Sequence, residues 1–142
     1  MFSLSLYFPV HLSLVAEILE GFRSKPYRVI APVKSHIERM VIEIPEPENV
    51  IVSGFLPAYK VNPMADISVI HGGQNTVMNA CLSGTPIVGI GMHPEQQTNL
   101  DACVRKGLTI RLNKRLATAS DVLTAIEANG CSIPIPDIQS AA

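Results

Sequence analysis

The residues of this chain best suited to chemistry lie between His71 and Asn99, and they begin with His71-Gly72-Gly73-Gln74-Asn75-Thr76. Two consecutive glycines let the backbone turn sharply and let a ligand come close to it, because neither carries a Cβ. Where such a turn opens a helix, the first N–H groups have no intrahelical partner, and the positive end of the helix dipole lies beside them. A pyrophosphate suits that place. Asn75 and Thr76 add short polar side chains at the first helical turn, and His71 adds a ring N–H at the end of a strand. A plain tight turn, with Asn75 and Thr76 as helix caps, accounts for the same residues without a ligand. Spacing alone leaves both readings open.

A second polar group, Glu95-Gln96, follows the next apolar run. An acidic residue suits the first turn of a helix by its charge alone. A carboxylate beside an amide also presents acceptors and donors together, the combination that sugar hydroxyls require. Phe55 is placed to stack a flat base, although an isolated Phe is more often part of a core. There is no G-x-G-x-x-G and no lysine after a Gly-rich run, which makes nicotinamide and ATP weak candidates. No metal and no organic cofactor is implied. The cysteines Cys81, Cys103 and Cys131 match no metal or redox spacing, so reduced thiols packed in a core are expected.

The elements needed to position these groups alternate along the chain. Strands are expected over residues 2–8, 27–31, 50–53, 66–70, 87–90 and 108–112. Helices are expected between them. One is opened by Pro9, with Val15, Ile18, Leu19 and Phe22 at helical spacing, and a short one over 36–41 is capped by Ser35 and Glu38. A third, over 74–83, ends at Gly84. A fourth, over 95–106, carries Leu100, Cys103 and Val104 on one face. A last helix is capped by Thr118 and Asp121, with Val122, Ala125 and Ile126 on its apolar side. This alternation with short connections predicts an α/β fold, a doubly wound parallel sheet. Residues 1–130 are expected to form this single domain and residues 131–142 an extended or loose tail. Both polar groups then follow the carboxyl ends of neighbouring parallel strands, where open α/β sheets bind ligands.

Composition sets the outer limits. The 142 residues are 47% hydrophobic and 16% charged, a richness that a sheet covered on both faces would absorb. The net charge of −1 implies no nucleic-acid surface. No window reaches the ~18 uninterrupted apolar residues of a membrane span. The first residues lack a basic region and a small-residue cleavage site, which favours a buried strand and helix over an export signal, and a cytoplasmic location is expected.

From Phe55-Leu56-Pro57 through the His71–Thr76 run, Gly84-Thr85-Pro86 and Glu95-Gln96 to Asn99, the chain resembles the donor-sugar signature of nucleotide-sugar glycosyltransferases of the GT-B fold. The likeness is strongest to the UDP-glycosyltransferases and the macrolide-type glycosyltransferases. It implies a Rossmann-like domain that is one half of a GT-B architecture, binding a UDP- or dTDP-sugar. By the same resemblance Phe55 matches the aromatic residue stacked on the base. His71 matches the histidine at the diphosphate, and Gly73, Asn75 and Thr76 match its amide and side-chain phosphate ligands, with Gly72 and Gln74 of the same run also expected at the substrate. Asn79 stands where many members carry a glutamate on the ribose, and Glu95 and Gln96 match the pair that holds the transferred sugar.

Two departures go with the likeness. The amide of Asn79 lacks the charge-assisted strength of a carboxylate, and the first strand leads into Ser5-Leu6-Tyr7-Phe8-Pro9 with no glycine. In the family the acceptor site and catalytic base lie on a separate N-terminal domain. An acceptor-binding lobe or partner subunit is therefore implied, as in the two-subunit N-acetylglucosaminyltransferase of lipid-linked oligosaccharide synthesis. Exposed apolar surface would also favour a homo-oligomer. His11, His36 and His93 match no base motif, and no catalytic residue is assigned. The alternative is a non-catalytic nucleotide-binding or regulatory module. A sugar-nucleotide epimerase is a weaker third reading.

Overall fold

The computed structural model describes residues 2–7, 12–35, 38, 46–113 and 115–130. The described strands are β1 (Phe2–Tyr7), β2 (Tyr27–Ala31), β3 (Val50–Val52), β4 (Ile67–Ile70), β5 (Ile87–Gly89) and β6 (Thr109–Arg111). They form one sheet in the order β3-β2-β1-β4-β5-β6, and every neighbouring pair is parallel. The chain winds outward from β1 in one direction, returns to β4, and winds outward in the other. The doubly wound fold expected from the alternation of elements is the fold observed, and the winding reverses between β1 and β4, where such sheets bind ligands.

The helices are α1 (Leu12–Gly21), α2 (Ala58–Val61), α3 (Gln74–Ser83), α4 (Pro94–Arg105) and α5 (Ala119–Gly130). They cover both faces of the sheet. Val15, Ile18, Leu19 and Phe22 at the α1 side pack with Val122, Ala125 and Ile126 of α5 on one face, against Val29, Val69 and Val88. Val77 and Ala80 of α3 pack with Leu100 and Cys103 of α4 on the other, against Ile70 and Ile87. Val69 and Ile70, adjacent in β4, serve opposite cores because successive strand side chains point to opposite faces. All four residues of β4 are buried, as a central parallel strand requires.

Three features differ from the sequence reading. The segment after Pro57 folds into α2 and a 3-10 turn over Asn62–Met64, too short for periodicity to reveal. Asn62 anchors it: its Oδ1 accepts from Ser68 Oγ at 2.6 Å and its carbonyl from Thr85 Oγ1 at 2.9 Å. Val104 is exposed, because the buried stripe of α4 runs through Gln96, Leu100 and Cys103. Cys81 is exposed as well, while Cys103 is buried as expected. The residue pair expected to cap the last helix does meet: the Thr118 N–H donates to Asp121 Oδ2 at 2.9 Å and the Asp121 N–H to Thr118 Oγ1 at 3.2 Å. The helix opening at Pro9, the short helix over 36–41 (Glu38 apart), His11, Cys131 and the tail over 131–142 lie outside the described residues. No described helix is long and apolar enough to cross a membrane.

Candidate functional site

β4 ends at Ile70, whose carbonyl accepts from the Ile90 N–H at 3.0 Å, so the chain leaves the sheet at His71 beside the end of β5. Gly72 then takes φ +90°, a conformation that side chains with a Cβ rarely adopt. There is no room for one either: a Cβ at Gly72 would fall 2.7 Å from the Gln96 carbonyl and from Leu100 Cγ. A Cβ at Gly89 would meet Leu100 Cδ2 at 2.4 Å. Leu100, fully buried, therefore sits between the loop after β4 and the end of β5, and the two glycines let α4 approach that closely. Asn99 fixes the same loop by donating from Nδ2 to the Gly72 carbonyl at 3.1 Å.

Gly73 is the N-cap of α3, and no side chain caps that helix end. Its own N–H donates to His71 Nδ1 at 2.9 Å. The Gln96 amide reaches the same ring nitrogen, Nε2 to Nδ1, at 3.3 Å, and its Oε1 accepts the Met92 N–H at 2.9 Å. His71, Gly72, Gly73 and Gln96 thus form one connected group at the carboxyl ends of β4 and β5. Burial pushes the His71 imidazole below its ordinary range, and the nearby His93 adds to the effect, against a smaller opposing backbone hydrogen bond. The ring is neutral at neutral pH.

The other expected residues are arranged around this group. Gln74 and Asn75 are exposed and Thr76 half-buried in the first turn of α3, with Asn79 half-buried in the middle of that helix. Glu95 is exposed in the first turn of α4, whereas its neighbour Gln96 is buried. Phe55 is 87% exposed in the loop after β3, a loop that leads through Pro57 into α2, which packs on α3. The glycine-free segment that follows Tyr7 lies outside the described residues as far as His11. His93 is the exposed N-cap residue of α4.

Sequence reasoning did not find the Met92 N–H or the inward orientation of Gln96. A polar residue on the i, i+4 stripe with Leu100 is the one local signal that pointed there. Elsewhere, a cavity of about 460 Å³ is lined by Arg23, Ser24, Lys25, Pro26, Pro47, Glu48 and Asn49 at the opposite ends of the strands. There the Asn49 amide donates to the carbonyls of Phe22, Lys25 and Tyr27, which makes Asn49 a tie between loops. Among the described residues no group of His, Cys, Asp and Glu could hold a metal ion.

Residues 47–129 match the family model described as UDP-glucoronosyl and UDP-glucosyl transferase. Mouse UDP-glucuronosyltransferase 2B17 is 41% identical over 66 residues, which are 46% of this chain and 12% of that protein. NDP-glycosyltransferase YjiC of Bacillus subtilis is 30% identical over 110 residues, 78% of this chain and 28% of its own length. The crystal structure of the glycotransferase of kitacinnamycin superposes over 99% of this chain and 37% of that one, with a TM-score of 0.85 and 21% identity. The glycosyltransferase VinC, solved in complex with dTDP, superposes over 99% of this chain and 35% of that one, with a TM-score of 0.74 and 19% identity. The chain therefore spans well under half the length of each of these proteins. With more than half of its residues matched by the family model, the chain belongs to the UDP-glucoronosyl and UDP-glucosyl transferase family, and its fold is a Rossmann-like half of a GT-B architecture.

Proposed function

We propose that this chain is the donor-binding half of a glycosyltransferase, taking a UDP- or dTDP-sugar and serving transfer of its hexosyl group. One observation carries the reading: the uncapped N-terminus of α3 lies beside a neutral histidine at the carboxyl ends of β4 and β5. A diphosphate placed there meets the first N–H groups of α3 and the His71 ring, with the Thr76 and Asn75 side chains beside them. Charge that develops on the diphosphate as the glycosidic bond breaks is stabilised by these fixed donors. Glu95 and Gln96, on α4, serve the hydroxyls of the sugar, Asn79 the ribose, and Phe55 the base.

The acceptor site and the base that activates the acceptor belong to polypeptide outside these 142 residues, in the same protein or in a partner. The share of the structural relatives that this chain covers supports that division. So does the exposed apolar surface of Phe55, Tyr59, Met64 and Met78.

Calorimetric titration with UDP, dTDP, GDP and a UDP-sugar tests the reading. One uridine or thymidine diphosphate is expected to bind, and His71→Ala is expected to weaken it by roughly tenfold or more, the worth of one hydrogen bond to a charged group. Failure of all four ligands to bind would overturn the proposal in favour of a non-catalytic module. The half-buried amide of Asn79, in place of a carboxylate, is the feature that favours that second reading.

A further inference from the structure

The hydrogen bonds around His71 define more than its position. The Met92 N–H can only donate, so the Gln96 atom it meets at 2.9 Å is the amide oxygen. The other end of that amide is then the NH2 group, and it faces His71 Nδ1 at 3.3 Å. The Gly73 N–H, also a donor only, points at the same nitrogen from 2.9 Å. Two donors converge on Nδ1, which must therefore carry the lone pair, and the hydrogen of a neutral ring is left on Nε2.

Nε2 is the ring nitrogen farther from Gly73: a Cβ built there would sit 3.2 Å from Nδ1 and 3.7 Å from Nε2. We infer that Gln96 is a positioning residue, which holds His71 as the neutral tautomer with its hydrogen on Nε2 and so keeps a donor beside the N-terminus of α3. The opposite tautomer would set Nδ1–H against the Gly73 N–H and the Gln96 NH2, and it would leave Nε2 with a lone pair in place of a donor. What the Nε2–H serves rests on the donor-binding reading; which nitrogen carries the hydrogen does not.

The orientation of Gln96 is itself built in. The side chain is 8% exposed, and it stands one turn before Leu100 on the buried stripe of α4, which the glycines at 72 and 89 hold against the strand ends. The Met92 N–H then sets which way round the amide lies. This role stands beside any contact that Gln96 makes with a sugar.

Long-range 15N–1H correlation spectra of the full chain, labelled at histidine and without nucleotide, read the tautomer directly. At pH 7.5 the expected result is an unprotonated His71 Nδ1 and a protonated Nε2, with a hydrogen-bond coupling from the Gln96 amide to Nδ1. In Gln96→Glu one carboxylate oxygen can still accept from Met92, while the other draws a proton onto Nδ1. His71 Nδ1 is expected to become protonated near neutral pH.

A wild-type ring with its hydrogen on Nδ1 overturns the inference, and that measurement needs no variant to fold. An unchanged His71 in folded Gln96→Glu overturns it too. Added UDP separates the two proposals. A response at Nε2 with Nδ1 still unprotonated supports both. An expected tautomer with no response to any nucleotide supports the positioning role and removes the donor-binding reading.

Discussion

The N-termini of α3 and α5 are made of the same backbone and treat their free N–H groups in opposite ways. At α5, Thr118 and Asp121 exchange hydrogen bonds, and the Asp121 carboxylate sits at the positive end of the helix. The sequence fills that end by itself. At α3 the N-cap is Gly73, no side chain caps the helix, and the first turn holds no acidic residue. The His71 ring takes the Gly73 N–H through Nδ1, and Nε2 is its nitrogen farther from Gly73. A helix end that supplies its own carboxylate has no use for an anion. One that carries no acidic residue in its first turn and is pinned from behind by α4 is the end at which we propose an anion binds.

The largest expected effect comes from removing the support behind the open end. Gly72→Ala combines a φ of +90° with a Cβ 2.7 Å from backbone and side chain of α4, and a loss of about 4 kcal/mol is expected from strain and overpacking together. Gly84→Ala is the control: φ is +67° but nothing lies within 4 Å, so about 1 kcal/mol is expected. Urea unfolding of both proteins measures the difference, and equal losses would mean that α4 does not press on the loop as described.

A smaller pair of changes swaps the character of the two helix ends. Asp121→Ala should cost about 1 kcal/mol by opening the cap of α5. Thr76→Glu places a carboxylate in the first turn of α3 and should gain about 0.5 kcal/mol, while abolishing nucleotide binding. Thermal unfolding and calorimetry on the same samples would show stability and binding moving in opposite directions. A Thr76→Glu protein that still binds its nucleotide as the wild type does would show that the diphosphate lies elsewhere.

The smallest effect is that of pH through His71. Its folded imidazole titrates below the ordinary histidine value of 6.5, chiefly because it is buried. Between those two values the unfolded chain binds a proton that the folded chain does not, so stability rises with pH across that window. It is complete above pH 6.5 and is lost as the pH falls toward the folded value. His71→Phe should flatten this part of the stability–pH curve relative to the wild type, and an unchanged slope would mean that His71 does not titrate in the way its burial implies.

How far this arrangement could be read from the chain depends on the range of the interactions involved. The Thr118–Asp121 cap, the Gly84 helix stop and the alternation of strands and helices rest on residues within a few positions of one another, and all were legible. Glu95 and Gln96 show the limit. Side by side in sequence, they look like one polar pair, yet one is exposed and the other buried against His71. Apolar periodicity assigned the inner face of α4 to Leu100, Cys103 and Val104 because it does not count a glutamine as core. The real stripe includes Gln96 and leaves Val104 in solvent. Likewise, no local pattern marks Asn62, which is fully buried where Ser68 and Thr85 close around it.

Local sterics and local charge set the six strands and the longer helices, the glycine turn after β4, and which helix end is left without a carboxylate. The strand order β3-β2-β1-β4-β5-β6, and the turning of the Gln96 amide onto His71 from 25 positions away, come from packing in three dimensions. The physical reason is that strand pairing and helix docking are selected by burial across the whole sheet. A residue's partners there depend on which faces meet, and no spacing along the chain encodes that.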